Sequence, residues 1–112
     1  MASIPIGAVV FVRFPFSDLS QYKKRPALVL ADVGRDDLIL CQITSQPYTD
    51  KQAIVLKQNS FISGSLIKIS YVRPGKIFTA NISIVEKVVA QVKSEIRQAV
   101  INRITELLNM TD

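Results

Sequence analysis

The chain has no histidine, no tryptophan and a single cysteine, Cys41, which sits inside an apolar run. Without histidine the commonest metal ligand and the commonest general acid or base are both missing. Catalysis would therefore have to use Arg, Lys, Asp, Glu, Tyr, Ser or Thr. One cysteine supports neither a disulfide framework nor a cysteine-based zinc site, and no metal or cofactor is expected. Charged residues make up 21% against 48% hydrophobic, which excludes disorder and collagen-like or low-complexity classes. No apolar run approaches the roughly 20 residues of a membrane span. Met1-Ala2-Ser3-Ile4-Pro5 lacks the charged and apolar regions of a secretory leader. These absences point to a soluble, reduced, cytoplasmic protein, and 112 residues suit one domain over 1–112.

Fourteen basic and nine acidic residues leave a net charge of +5. Ten basic and five acidic side chains precede Ile77, and four of each follow, so the whole surplus lies in the first two-thirds. A surface of that sign attracts a polyanion such as nucleic acid, although it also serves plain solubility.

Short β-branched and apolar runs dominate. Gly7–Phe14 reads as a strand stopped by Pro15, and Phe16–Lys24 as a polar loop. Pro26–Ala31 and Leu38–Thr44 are continuous apolar runs that suit strands buried on both faces, joined by a hairpin turn at Val33–Asp37. A loop follows over Ser45–Lys51, then a brief strand at Ala53–Leu56, a period-two strand at Ser65–Val72 and a last short strand at Ile77–Ala80. The tail divides in two ways. The spacing of Val85, Val88, Val89, Val92 and Ile96 suits one long amphipathic helix, but Val88–Val92 is β-branched enough for a strand. The second division is preferred, with Ser94 as helix N-cap and a helix running to about Asn109. Five to seven strands before one helix predict a mainly-β α+β chain: a small twisted barrel closed by a C-terminal helix.

Two segments have the composition of a site. Lys23-Lys24-Arg25 enters a buried strand through Pro26, which fixes its own φ and pushes Arg25 toward an extended conformation. Ile43-Thr44-Ser45 ends the next buried strand in hydroxyls. If those strands pair, Arg25 and Thr44 share one rim of the barrel. Ser70-Tyr71-Val72-Arg73-Pro74 likewise reads as a strand ending in a cation and a proline. Arginine forks match phosphate oxygens, and hydroxyls complete the contacts. A plain structural role also fits, with Lys23 and Lys24 as solvated loop charges and Thr44 satisfying a strand-end carbonyl.

Gly7–Val12, Phe14-Pro15-Phe16-Ser17-Asp18-Leu19, Arg25-Pro26-Ala27-Leu28-Val29-Leu30 and Gln42-Ile43-Thr44-Ser45, in that order and spacing, resemble the MazF/PemK-like toxin family of type II toxin–antitoxin modules. Ser70-Tyr71-Val72-Arg73 continues the likeness, which covers essentially the whole chain. The resemblance implies an SH3-like barrel of the CcdB/PemK type. It also implies a homodimer and a sequence-specific endoribonuclease that cleaves single-stranded mRNA without a metal, leaving a 2′,3′-cyclic phosphate and a 5′-hydroxyl. The family's catalytic arginine and threonine fall on Arg25 and Thr44. Ser45, Lys23, Lys24, Lys68, Ser70 and Arg73 become candidate substrate-binding residues. A guanidinium stays protonated, so Arg25 fits stabilisation of the charge on a pentavalent phosphorane better than proton donation.

Two departures concern the general base. Some relatives carry an acidic residue where this chain has Ser70, and some carry a histidine in the first loop. Asp18 is the one carboxylate in that loop, and turn capping suits it equally. The resemblance also implies a cognate antitoxin as partner. A non-catalytic, gyrase-binding CcdB-like inhibitor and a passive RNA-binding barrel are the rival readings. The former binds through an aromatic C-terminal pair, whereas this chain ends Leu107-Leu108-Asn109-Met110-Thr111-Asp112.

Overall fold

The computed structural model describes residues 4–15, 22–46 and 51–110. Among the described residues seven strands are formed: β1 (Ala8–Pro15), β2 (Tyr22–Gly34), β3 (Asp37–Thr44), β4 (Ile54–Leu56), β5 (Phe61–Gly64), β6 (Ser70–Asn81) and β7 (Val85–Val92). The helix α1 (Ser94–Leu108) follows them. The strands pair antiparallel throughout, in the order β4-β6-β3-β2-β1-β7-β5, and the sheet curls into a half-barrel. The mainly-β architecture with a C-terminal helix is the one the strand spacing predicts.

The apolar runs in β2 and β3 fill two cores at once. Leu28, Leu30, Cys41 and Ile43 point to one side and pack with Val9, Val72, Val92 and, from α1, Val100. Ala27, Val29, Leu38 and Leu40 point to the other and pack with Val10, Val12 and the half-buried Phe78 and Val85. A strand with apolar residues on both faces has no polar side to alternate with, so its sequence reads as an unbroken run. The hairpin between β2 and β3 turns through Arg35 and Asp36, both at positive φ (56° and 64°). That geometry belongs to a type I′ loop, whose twist matches its flanking strands. The Asp32 carboxylate accepts the Gly34 N–H at 2.9 Å and braces it.

Several boundaries differ from the sequence expectation, and β5 is a strand that it does not include. β2 begins at Tyr22, so Lys23 and Lys24 belong to a strand and not to a loop. Pairing with β1 as far as Pro15↔Tyr22 extends it beyond its own apolar stretch. Residues 65–69 are not strand: β4 meets β6 only from Ser70 onward, so nothing supplies them with a ladder. Ser70–Val72 and Ile77–Ala80 are one strand, because Arg73–Lys76 form a bulge that Pro74 and Gly75 punctuate without ending it. The helix is capped by the backbone of Lys93, with Ser94 as its first residue. Of the two divisions of the tail, strand followed by helix is the one the chain adopts.

Candidate active site

The β1–β2 ladder sets Arg25 opposite Val12, and the β2–β3 ladder runs down to Ala27↔Gln42, where it stops. The next residue is Pro26, which has no N–H to give. Carried two residues further, the same register puts Arg25 across from Thr44, whose partner on β6 is Tyr71. Cross-strand partners share a face of the sheet. Arg25 therefore continues the line of Val29 and Ala27, and Thr44 the line of Leu38, Leu40 and Gln42, both at the end of the second core. This is the face away from α1, and both side chains are half-buried there. The Thr44 Oγ1 accepts the Gln46 N–H at 3.1 Å, closing a tight turn that carries Ser45 outward. A hydroxyl has one donor and two acceptor sites, so this bond fixes the oxygen while its hydrogen remains a donor.

The other sequence candidates scatter. Lys24 lies opposite Arg13 and, by the period of two, on the reverse face from Arg25. Its Nζ is 3.6 Å from Glu86, whose other oxygen is 3.0 Å from Arg13 Nε, so one carboxylate on β7 bridges cations on β1 and β2. Ser70 is buried at 4% exposure, opposite Leu56 on the helix side, and its hydroxyl donates to the Lys68 carbonyl at 3.0 Å. That hydroxyl is committed to the loop and is not brought to Arg25 and Thr44. Lys68 is exposed in the 65–69 segment. Arg73 sits in the β6 bulge, where its carbonyl accepts from the buried Cys41 Sγ at 2.9 Å. The Lys23 side chain and Asp18 lie outside the described residues.

Sequence reasoning passed over Gln42, Tyr71 and Lys76. Tyr71 lies next to Thr44 in the β3–β6 register. Gln42 faces the bulge, and Lys76 closes a shallow cleft beside it. The available signal was Gln42 itself, a lone amide inside the run Leu38–Ile43. Among the described residues, no three His, Cys, Asp or Glu side chains gather closely enough to hold a metal ion. No described helix is long and apolar enough to cross a membrane.

A guanidinium and a hydroxyl at the mouth of a curled antiparallel sheet define a small β protein whose candidate site suits an oxyanion. The family model of the PemK-like, MazF-like toxins of type II toxin–antitoxin systems matches residues 6–108, and the chain belongs to that family. Its fold is shared with solved structures at low identity. A MazE–MazF structure from Deinococcus radiodurans superposes with a TM-score of 0.77 at 20% identity, covering 98% of this chain and 100% of that one. The Mycobacterium tuberculosis toxin MazF-mt6 gives 0.71 at 13% identity over 94% and 99%. An endoribonuclease in complex with its cognate antitoxin, from a mycobacterial species, gives 0.71 at 16% identity over 100% and 99%. No curated protein matches the chain in sequence.

Proposed function

We propose that this toxin is a metal-independent, sequence-specific endoribonuclease acting on single-stranded mRNA in the cytoplasm. The observation that carries the reading is the β2–β3 register, which directs Arg25 and Thr44 to one end of one sheet face. In the reaction, the ribose 2′-oxygen attacks the adjacent phosphorus and the bond from phosphorus to the 5′-oxygen breaks. The products are a 2′,3′-cyclic phosphate and a 5′-hydroxyl. Charge builds on the non-bridging oxygens of the phosphorane, and preorganised donors aimed at them lower the barrier. Arg25 supplies a planar, permanently charged fork and Thr44 a hydroxyl whose oxygen is already anchored by Gln46. The 2′-oxygen gives up its proton as it attacks and the 5′-oxygen takes one up as it leaves, and both residues act on the charge that builds on the phosphorane between. Ser45, next to Thr44 on the same exposed turn, contributes a further phosphate contact, and Lys23, Lys24, Lys68 and Arg73 add to the attraction of the backbone.

The active protein is proposed to be a homodimer of single-domain chains. A mean hydropathy of +0.26 accompanies exposed apolar side chains at Ile62, Ile67, Ile69 and Ile77, which a second copy would cover. The antitoxin is proposed to be an acidic segment that folds across the basic surface and excludes RNA, with strong dependence on salt. The test is incubation of the purified protein with a short single-stranded RNA in excess EDTA, followed by analysis of the ends. Discrete fragments with cyclic phosphate and 5′-hydroxyl ends are expected. Intact RNA at micromolar protein would refute the assignment.

A further inference from the structure

We infer that the cleft between Gln42 and the β6 bulge receives the nucleobase adjoining the scissile phosphate, with Gln42 reading its hydrogen-bonding edge. This inference rests on the ribonuclease reading above. The register between β3 and β6 jumps from Ile43↔Val72 to Cys41↔Ile77, so the four residues Arg73–Lys76 stand against Gln42 alone. Bulges of this kind re-aim side chains beside functional sites. Here the bulge opens a cleft of about 220 Å³ lined by Gln42, Lys76, Ile77 and Phe78. That space falls below the roughly 300–1,000 Å³ typical of drug-sized ligands and suits one planar ring.

The chemistry of the lining matches such a ring. Gln42 is half-buried, and its amide makes no hydrogen bond to any described residue. Its donor and acceptor are thus presented together to whatever enters. Phe78, on the same face as Gln42, supplies an apolar wall for a base, and bases of unpaired RNA are read by stacking and by their polar edges. Lys76 is exposed and forms no ion pair among the described residues, which suits a phosphate neighbour. The cleft is also in the right place. Gln42 is two residues from Thr44 on the same face, about 7 Å along the strand. Its β2 partner Ala27 is two residues from Arg25. The bulge is held by the Cys41 Sγ bond to the Arg73 carbonyl, so the cleft has a fixed wall.

The experiment sequences the new ends cut from a randomised single-stranded RNA pool by wild type, Gln42→Ala and Gln42→Glu. In parallel, anisotropy measures binding to RNAs blocked by a 2′-deoxy residue at the cut site, varying the base on each side. Wild type should favour one base at one position next to the cut by about tenfold, the order of a good amide–base contact. Gln42→Ala should flatten that preference. Gln42→Glu, which has lost its donor, should move the preference toward a base offering an amino group. If wild type and both variants give the same profile and the same relative affinities, the cleft is not a base site, although the ribonuclease reading stands. If wild type produces no cyclic-phosphate ends and binds every blocked RNA equally, both fail. Melting curves within a few degrees of wild type exclude misfolding, and the gain of a new preference in Gln42→Glu cannot come from misfolding.

Discussion

Gly64 ends β5 at φ +65°, where the chain crosses close under β7. A Cβ built at this position would collide with the Val89 carbonyl oxygen and lie 2.8 Å from the Ala90 Cα. Both neighbours are backbone, so neither can swing aside as a flexible side chain would. Gly64→Ala therefore incurs two costs. The left-handed conformation disfavours a side chain by about 1–2 kcal/mol. Separating β5 from β7 by a fraction of an ångström strains or breaks the short ladder, adding about 1–3 kcal/mol of the kind seen for overpacking. The sum, about 2–5 kcal/mol, should lower the melting temperature of a chain this size by some 10–25 °C. Thermal unfolding followed by circular dichroism measures it directly. A shift of less than about 4 °C would mean that Gly64 is not pressed against β7 and that the β5–β7 pairing is wrong. Gly34 is the control: its φ is also positive, at +93°, but nothing lies within 4 Å of its Cβ position. Gly34→Ala should show the conformational cost alone.

Other consequences concern the bulge, the charge bridge and the reaction. Cys41→Ala removes both a fully buried sulfur and the tie to Arg73, and should cost about 1–3 kcal/mol, whereas Cys41→Ser, which keeps a donor, should recover part of that in urea unfolding. Glu86→Gln breaks partly exposed ion pairs to Arg13 and Lys24, so stability should fall by no more than about 1 kcal/mol, with the difference vanishing at 1 M salt. RNA cleavage should continue unchanged in excess EDTA, and a loss of rate that magnesium restores would contradict a mechanism built on Arg25 and Thr44.

The parts of this fold that could be read in the sequence are those whose cause is local. β1, the β2–β3 pair and the β7–α1 boundary all carry their own apolar runs, breakers and helix periodicity. The rest is decided by neighbours distant in sequence. Tyr22–Lys24 is polar, yet β1 recruits it as strand. Leu66, Lys68 and Ser70 alternate with Ile67, Ile69 and Tyr71 in period two, yet Ile67 is fully exposed because no strand faces it. Pro74-Gly75 reads as a terminus, but pairing on both sides of the bulge carries β6 through it. The candidate site divides in the same way. Arg25 and Thr44 fall on one face because each flanks a buried run whose register follows from the hairpin at Arg35–Asp36. Lys24 and Ser70, one residue away from that parity, point to the opposite face, because side chains alternate with a period of two. Gln42 and Lys76 could not be joined from sequence, since the bulge that brings them together changes the register.

The central claim is that Arg25 stabilises the transition state of RNA cleavage. Single-turnover cleavage of a short single-stranded RNA by wild type, Arg25→Ala and Arg25→Lys tests it, with melting curves confirming that each variant is folded. Arg25→Ala should lose about 10²–10³ in rate, as expected when one preorganised stabiliser of developing charge is removed. Arg25→Lys should regain only part of that loss, because a point charge cannot reproduce the planar fork. A folded Arg25→Ala protein that cuts at the wild-type rate would contradict the account and move the chemistry away from the β2–β3 mouth.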